Sequence, residues 1–169
     1  MIEYPRCFIP DGPNKMAYII DGHNLIPKLG LRLDDPNDEE ALIERVLEFC
    51  RIQRTQAEIY FDGAPPGTNP TRKNGAVTCY FIRQGSSADS AIERQLMRLG
   101  KQARNWTIVS SDRRVLNAAR SFHAHTLSSD EFAKLLSKAT GQQKGSRAES
   151  GLSPEEVEDW LTIFKSKGK

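Results

Sequence analysis

Four aspartates of the sequence stand at the end of an apolar run or at the start of a helical pattern. Three of them follow short apolar runs that have the length of buried strands: Asp21, Asp62 and Asp112. The fourth, Asp89, follows Gly-Ser-Ser-Ala and begins a helical pattern. In an open α/β sheet, the crevice that binds ligands lies outside the carboxyl ends of the strands. We therefore expect the four carboxylates to face one crevice.

This set of acids predicts a metal site. Carboxylates that are brought together repel one another, and hard cations such as Mg²⁺ or Mn²⁺ neutralise them through oxygen ligands and bound waters. A metal held in this way can activate a water as the nucleophile and stabilise the charge that develops on a phosphodiester. We expect Asp21, Asp89 and Asp112 to be the metal ligands, directly or through water. Asp62 is a fourth catalytic acid beside them.

Asp89 has a second interpretation, because it stands in the first turn of an expected helix. The positive end of the helix dipole favours an anion at this position without any metal. Asp89 and Glu93 are four residues apart and therefore share one face of that helix. From the residues alone, the dipole role and the metal or substrate role both remain open.

Polar and basic residues near the acids are candidates for contacting a substrate. Residues 64–75 hold three prolines and two adjacent bases, which is typical of a mobile clamp or of a plain surface loop. Two arginines follow Asp112, and they either contact phosphates or are solvated, while the serine before it can hold Asp112 or a phosphate. The substrate-binding residues that we predict are His23, Asn24, Arg72, Lys73, Ser111, Arg113 and Arg114.

Charge is unevenly distributed along the chain, although the formal net charge is only +2. Residues 34–48 hold seven acids and one base, whereas residues 72–120 hold ten bases and three acids. A basic segment beside a carboxylate cluster suits a polyanion that must approach metal-bound acids. A solvated helix face is the alternative for any one of these bases.

Composition indicates a single globular domain. A chain of 169 residues has room for one core and a tail. No apolar run approaches the roughly 20 residues that span a bilayer, and the N-terminus lacks the pattern of a secretory signal, so we expect a cytoplasmic protein. Cys7, Cys50 and Cys79 lack the C-x-x-C spacing of zinc or redox sites, and we expect Cys50 and Cys79 to be buried thiols.

Strands and helices follow from the apolar periodicity. The expected strands cover about residues 16–20, 57–61, 77–82, 106–110 and 124–127. The expected helices cover about residues 37–54 and 88–104, and two more begin after Asp112 and at Ser129. Asn37 with Glu40 has the spacing of a capping box, and Ser87 and Ser129 have the residue type of helix N-caps.

The expected organisation has four parts: an irregular arm over residues 1–15, a domain over 16–140, a polar linker over 141–152, and an amphipathic helix with a basic tail over 153–169. Apolar residues of the last part recur at helical intervals and must be covered by something. They dock either on the domain itself or on a partner protein. These residues are Val157, Trp160, Leu161 and Phe164.

Four short motifs carry a resemblance to a known family. They are Asp-Gly-His-Asn at 21–24, Phe-Asp-Gly at 61–63, Ser-Ala-Asp at 87–89 with Glu93, and Ser-Ser-Asp at 110–112. In this order and spacing they resemble the NYN (YacP-like) branch of the PIN-domain ribonucleases, over about residues 16–139. The Ser-x-x-Glu-Phe pattern at 128–132 resembles the same branch.

The resemblance implies a PIN-like three-layer α/β fold, with a central, mainly parallel sheet of about five strands between helices. It also implies metal-dependent cleavage of RNA, with Asp21, Asp62, Asp89 and Asp112 in the catalytic positions. Asn24 matches a position that orients the substrate or a ligand. Members usually have Tyr where this chain has His23, and a His at this position can stack on a base or bond to a phosphate.

The leading hypothesis is a metal-dependent endoribonuclease with Mg²⁺ or Mn²⁺ as cofactor and RNA, including messenger RNA on the ribosome, as partner. The alternative is an RNA- or ribosome-binding module with the same fold and weak or no catalysis. A phosphotransfer domain with an aspartyl nucleophile would need a second acid two residues after Asp21, where His23 stands. A dinucleotide-binding domain is disfavoured because no G-x-G-x-x-G follows the first strand.

Overall fold

The computed structural model describes residues 16–145, and a six-stranded sheet runs through this part of the chain. The strands are β1 (Ala17–Asp21), β2 (Gln56–Ala64), β3 (Thr71–Asn74), β4 (Val77–Arg83), β5 (Trp106–Val109) and β6 (His125–Leu127). Their order across the sheet is β3-β4-β2-β1-β5-β6. Every neighbouring pair is parallel except β3 and β4. The expected mainly parallel sheet is confirmed, with six strands instead of about five.

Helices cover both faces of this sheet and complete three layers. They are α1 (Gly22–Leu25), α2 (Asp38–Gln53), α3 (Ala88–Leu99), α4 (Arg113–Ser121) and α5 (Ser129–Gly145), with 3₁₀ helices at Ile26–Leu29 and Gly100–Asn105. Apolar residues of α2 and α5 form one core cluster with one face of the sheet. Apolar residues of α3 and α4 form a second cluster with the other face. The expected three-layer α/β fold is therefore confirmed.

β1 lies between β2 and β5 and is covered on both faces. Ile19 packs into the α3 and α4 cluster, while Ile20 packs into the α2 and α5 cluster, and both side chains are fully buried. This explains why the sequence of β1 is apolar without alternation, as is typical of a central parallel strand. Since β1, β2 and β5 are parallel, their carboxyl ends lie at one edge of the sheet.

The turn after β1 brings the backbone of α1 close to a buried side chain of β2. A Cβ atom at Gly22 would lie 2.4 Å from the ring of Phe61, which is fully buried in β2. Glycine at this position therefore lets α1 pack directly on the neighbouring strand. The close packing explains why residue 22 is glycine.

One expected loop contains a strand. Residues 71–74 of the expected loop 64–75 form β3, which pairs antiparallel with β4 from Asn74 opposite Val77 to Thr71 opposite Tyr80. Arg72 and Lys73 therefore lie on the edge strand of the sheet, and the interpretation of the whole segment as loop was wrong.

The helix caps agree with the sequence at some positions and differ at others. Ser87 caps α3 as expected, with its side chain accepting a hydrogen bond from the backbone N–H of Ser90 at 3.2 Å. Asn37 precedes α2 but its side chain makes no capping hydrogen bond, so the expected capping box is not formed. The helix expected over 88–104 ends at Leu99, and a 3₁₀ helix follows it.

The cap of α5 belongs to Ser128 and not to Ser129. The N–H of Glu131 donates to Oγ of Ser128 at 3.2 Å, and the N–H of Ser128 donates to the Glu131 carboxylate at 2.9 Å. This reciprocal pair is a capping box. The hydroxyl of Ser129 is buried without a hydrogen-bond partner among the described residues.

The end of the described region revises the expected linker. α5 continues to Gly145, so residues 141–145 are helical rather than part of a linker. The N-terminal arm, the rest of the linker and the expected C-terminal helix lie outside the described residues. Cys50 and Cys79 are buried, as expected. Between residues 16 and 145, no helix is both long and apolar enough to span a membrane.

Candidate functional site

Asp21 ends β1, and only 4% of its surface is exposed. The side-chain amide of Asn24, in α1, donates a hydrogen bond of 2.6 Å to Oδ2 of Asp21. The same nitrogen lies 3.4 Å from Oγ of Ser110, the residue that follows β5. Because one amide contacts both groups, it holds the Asp21 carboxylate in a fixed position relative to the end of β5.

The carboxyl groups of Asp21, Asp89 and Asp112 form a continuous series of contacts. Asp21 is within hydrogen-bonding contact of Asp89, and Asp89 of Asp112. Burial, followed by the charge of Asp89, raises the pKa of Asp21 to about 7, while the hydrogen bond from Asn24 opposes this shift. Burial and the charge of Asp112 also raise the pKa of Asp89. The charge of Asp89 thus disfavours ionisation of Asp21, and the charge of Asp112 disfavours ionisation of Asp89, so a bound proton or cation would relieve this repulsion.

Asp112 is held by the turn between β5 and α4. Its Oδ1 accepts a hydrogen bond of 2.7 Å from the N–H of Arg114, which makes Asp112 the N-cap of α4. Its own N–H donates to Oγ of Ser110 at 3.1 Å. Ser110 is fully buried and therefore links the backbone of Asp112 to the Asn24 amide that holds Asp21.

His23 bridges two further carboxylates. Nδ1 lies 2.7 Å from Oδ1 of Asp62 on β2, and Nε2 lies 3.2 Å from Oε1 of Glu39 in the first turn of α2. The hydrogen bond to Glu39, supported by the one to Asp62, raises the pKa of His23 to about 9. The ring is therefore a cation at neutral pH, with both N–H groups donating to the protein. A substrate contact would use the face of the ring or require one of these bonds to open.

Asp62 lies at the outer side of the same cluster. Its side chain is 45% exposed, and its charge contributes to the raised pKa of Asp89. β2 continues to Ala64 with a shift in pairing after Phe61, so Asp62 lies within a strand and not after it. Asp89 thus lies within electrostatic reach of the other three aspartates that were singled out in the sequence.

The arginines after Asp112 have different surroundings. Arg114 forms a two-point ion pair with Glu93 of α3, with its Nε 2.7 Å from Oε1 and its terminal nitrogen 3.0 Å from Oε2. Arg113 is exposed, and so is Ser111. The structure therefore ties Arg114 to the side of the site, while Arg113 and Ser111 face solvent beside it.

The bases on β3 stand on the other side of the site. Arg72 donates to the Glu40 carboxylate at 2.6 Å, and Glu39 lies close enough for its charge to act on Arg72. Lys73 is exposed on the same strand. Arg72 therefore holds the acidic first turn of α2 against the edge of the sheet.

Two residues of the site were not expected from the sequence. Ser110 bonds to the backbone two residues further on, a local pattern of Ser and Thr that its spacing to Asp112 could have indicated. Glu39 reaches His23 across 16 residues of chain, and no local pattern indicates this contact.

The donor set suits a hard divalent cation, because Asp21, Asp89 and Asp112 offer only oxygen and a cation would relieve their repulsion. Among residues 16–145, no three or more His, Cys, Asp or Glu side chains form a ready-made metal-binding group. Mg²⁺ commonly keeps several waters and binds through one or two carboxylates, so a water-rich site fits both observations.

Comparison with known proteins identifies the family. The YacP-like NYN domain family matches residues 18–163, beyond the domain end expected at residue 140. A crystal structure of Rae1 (YacP) from Bacillus subtilis is 20% identical, with a TM-score of 0.61 and coverage of 88% of this chain and 92% of that chain. A mutant of the same protein is 19% identical, with a TM-score of 0.61 and coverage of 80% and 86%. No curated protein matches the sequence significantly.

At these identities the two crystal structures show a shared fold, while the family match spans most of the chain. The acid-bearing turns that led to the sequence resemblance all fall within the matched residues. The chain therefore belongs to the YacP-like NYN domain family, a family of PIN-like, nuclease-type domains.

Proposed function

We propose that this protein is a metal-dependent endoribonuclease that hydrolyses RNA phosphodiesters. One observation carries the proposal. Asp21, Asp89 and Asp112 come from three separate parts of the chain and interact in two pairs, Asp21 with Asp89 and Asp89 with Asp112, at the carboxyl edge of the sheet. Placing the buried Asp21 carboxylate beside the partly buried Asp89 and Asp112 costs stability, so this cluster is better explained by a functional role than by folding. Membership in a nuclease-type family gives the reaction class.

Each residue has a role in this proposal. Asp21, Asp89 and Asp112 would hold a Mg²⁺ or Mn²⁺ ion, directly or through water. Such an ion supplies an activated water and offsets the charge that builds up on the phosphate. Asn24 and Ser110 orient Asp21 and Asp112 through the hydrogen bonds described above. His23 fixes Asp62, which extends the negative potential towards the open side of the site.

The direct test replaces the carboxylates singly. Asp21→Asn and Asp112→Asn keep the shape of the side chain and one oxygen, so we expect a folded protein whose Mn²⁺-dependent cleavage of a mixed RNA pool is lost. Asp34→Asn is the control, because Asp34 is exposed and forms an ion pair with the nearby Arg32. Thermal unfolding would verify the fold of all three variants. Cleavage at the wild-type rate by both site variants would refute the proposed roles.

A second candidate is an RNA-binding module with the same fold and little catalysis. The observation that favours it is the lack, within residues 16–145, of a ready-made group of three metal-binding side chains. The two candidates differ in one measurement. If wild-type protein binds RNA but leaves it uncut across a range of Mg²⁺ and Mn²⁺ concentrations, the binding module is the correct function.

A further inference from the structure

The two helical layers carry opposite charges. Residues 94–121, which include the second half of α3, the following 3₁₀ helix and α4, hold seven Lys or Arg and one acid, Asp112, while the first half of α3 holds Asp89 and Glu93. On the opposite face of the sheet, α2 holds five acids and two bases. The structure thus converts an uneven distribution along the chain into one basic face and one acidic helix on opposite sides of the sheet.

Basic residues of this face lie further along the helix that begins at the candidate site. Asp89 lies in the first turn of α3, at the carboxyl edge of the sheet, and the helix runs away from that edge. Arg94 and Arg98 are five and nine residues further along, which places them about 7 and about 13 Å from Asp89 along the helix axis. Lys101 and Arg104 follow on the 3₁₀ helix.

Little negative charge on this surface competes with a ligand. Glu93 is already held at two points by Arg114, and no acid occurs between residues 94 and 111. Arg94, Lys101, Arg104 and Arg113 are exposed. Met97, with 60% of its surface exposed, lies among them and offers an apolar contact to an unstacked base.

The opposite side of the site is less suited to a polyanion. Glu39 and Glu40 stand there in the first turn of α2. The bases next to them are already used, since His23 bonds to Glu39 and Arg72 bonds to Glu40. A phosphate backbone on this side would meet carboxylates and compete with two existing ion pairs.

We infer that a single RNA strand extends from the aspartate cluster over the outer surface of α3 and the following 3₁₀ helix, with its phosphates contacting Arg94, Lys101, Arg104 and Arg113. The ligand class rests on the proposed function, whereas the choice of face rests on the charges and exposures above. Arg72 and Lys73, on the other side, contribute less to RNA affinity than these four residues.

The test compares matched charge removals in the full-length chain. Two double variants each remove two positive charges from the basic face. One combines Arg94→Gln with Lys101→Gln, and the other combines Arg104→Gln with Arg113→Gln. Arg51→Gln with Lys134→Gln, exposed bases of α2 and α5, is the control with the same change in net charge. Arg98 is left unchanged because its charge acts on the buried Glu58.

Binding of a labelled single-stranded RNA of about 12 nucleotides, a length within the range of single-strand binding sites, is measured in EDTA at several salt concentrations. Two lost phosphate contacts should reduce the slope of log K against log salt by about 1.4. When the salt concentration rises from about 50 to about 200 mM, the RNA affinity of wild type and of each variant falls by some factor. This factor should be about seven times smaller for each basic-face variant than for wild type. The control should keep the wild-type slope.

Two results would overturn the inference: unchanged slopes in both basic-face variants, or an equal reduction in the control. This outcome is separate from the fate of the proposed function. If the slopes fall as expected while wild type cuts no RNA with Mg²⁺ or Mn²⁺, the binding face stands and the nuclease fails. If wild type cuts RNA while the slopes are unchanged, the nuclease stands and the binding face fails.

Discussion

At the level of single residues, the site depends on neutral hydrogen-bonding groups as much as on its acids. Asn24 contacts both Asp21 and Ser110, and Ser110 in turn accepts from the backbone of Asp112. Groups that hold a metal ligand in this way are commonly needed for affinity as well as for rate. The geometry of Asp21 and Asp112 is therefore set by two residues that carry no charge.

Asn24→Ala should lower the rate of metal-dependent cleavage and the apparent affinity for Mn²⁺ without unfolding the protein. The variant leaves Asp21 without its 2.6 Å hydrogen bond, and we expect cleavage to fall about 10- to 100-fold. The Mn²⁺ concentration that gives half-maximal cleavage should rise as well. Asn37→Ala is the control, because the Asn37 side chain makes no capping bond to α2. A variant at position 24 with wild-type Mn²⁺ dependence would contradict this positioning role.

Asp21 and Asp112 could be selected from the sequence because strand ends meet at one edge of a parallel sheet, whichever strand lies beside which. Asp89 was selected from its place at a helix start, whereas Asp62 lies within β2 and not at its end. The partners of His23 could not. Asp62 is 39 residues away and Glu39 is 16 residues away, and both contacts depend on how α2 and β2 are placed around α1. Roles that depend on position along the chain were accessible to sequence reasoning, and roles that depend on tertiary contacts were not.

At the level of elements, most strands and helices follow from apolar periodicity, and the exception has a physical reason. β3 has the sequence Thr-Arg-Lys-Asn, which lacks any apolar residue and has no buried position. It forms a strand because its backbone pairs antiparallel with the edge of β4, where N–H and C=O groups need hydrogen-bond partners. Pairing of this kind is determined by a neighbour, so the composition of the segment itself gives no indication of it.

Gly22→Ala should destabilise the element that carries the site. The added methyl group would meet the buried Phe61 ring at 2.4 Å, a contact that requires α1 or β2 to move. Overpacking of this kind costs about 1–3 kcal/mol in the free energy of unfolding. Urea denaturation measures it, and cleavage should fall as well, because Asp21 and Asn24 flank the glycine.

Gly141→Ala provides the matched control for this substitution. Gly141 lies in α5 with no atom within 4 Å of an added Cβ. Alanine in a helix is favoured over glycine by up to about 1 kcal/mol, so this variant should be as stable as wild type or more so. A Gly22→Ala protein as stable as wild type would show that the close approach is easily relaxed.

At the level of the whole molecule, one buried acid lies in the core and outside the site. Glu58 of β2 is 7% exposed and accepts a hydrogen bond of 3.0 Å from the hydroxyl of Tyr60. Burial raises the pKa of Glu58 to about 7, although Tyr60 and the charge of Arg98 oppose this shift. The folded protein therefore holds a proton on Glu58 at a pH at which the unfolded chain has already lost it.

Stability should consequently fall as the pH rises from about 5 to about 8. Below the unfolded pKa of Glu58 both states are protonated, and the stability is fully present. Above the folded pKa the buried carboxylate is charged, and up to roughly 3 kcal/mol of unfolding free energy is lost. Asp21, whose pKa is also about 7, contributes in the same direction.

Glu58→Gln isolates the contribution of this residue, because Gln keeps an acceptor for Tyr60 but does not titrate. Urea unfolding at several pH values should give a flatter pH dependence for Glu58→Gln and for Asp21→Asn, and the flattest for the double variant. Equal pH dependence in wild type and Glu58→Gln would show that Glu58 does not titrate in this range.

The sequence predicts the charge of each segment but not the face of the sheet on which the segment lies. Local sums identify an acidic segment at 34–48 and a basic one at 72–120. Which face of the sheet each segment covers depends on the connections between strands, and those follow from the strand order. The basic face results from the local charge of residues 72–120 together with the strand order that places part of this segment on one side of the sheet.

The position of β1 has a consequence for how the protein would respond to partial loosening. This strand has partners on both sides and a helical layer over each face, so its amide hydrogens should exchange with solvent among the slowest in the molecule. Opening of the short outer strand β3 would leave Asp21 in place, because β4 and β2 lie between β3 and β1. The position of Asp21 would then be lost only when the central strands of the sheet separate.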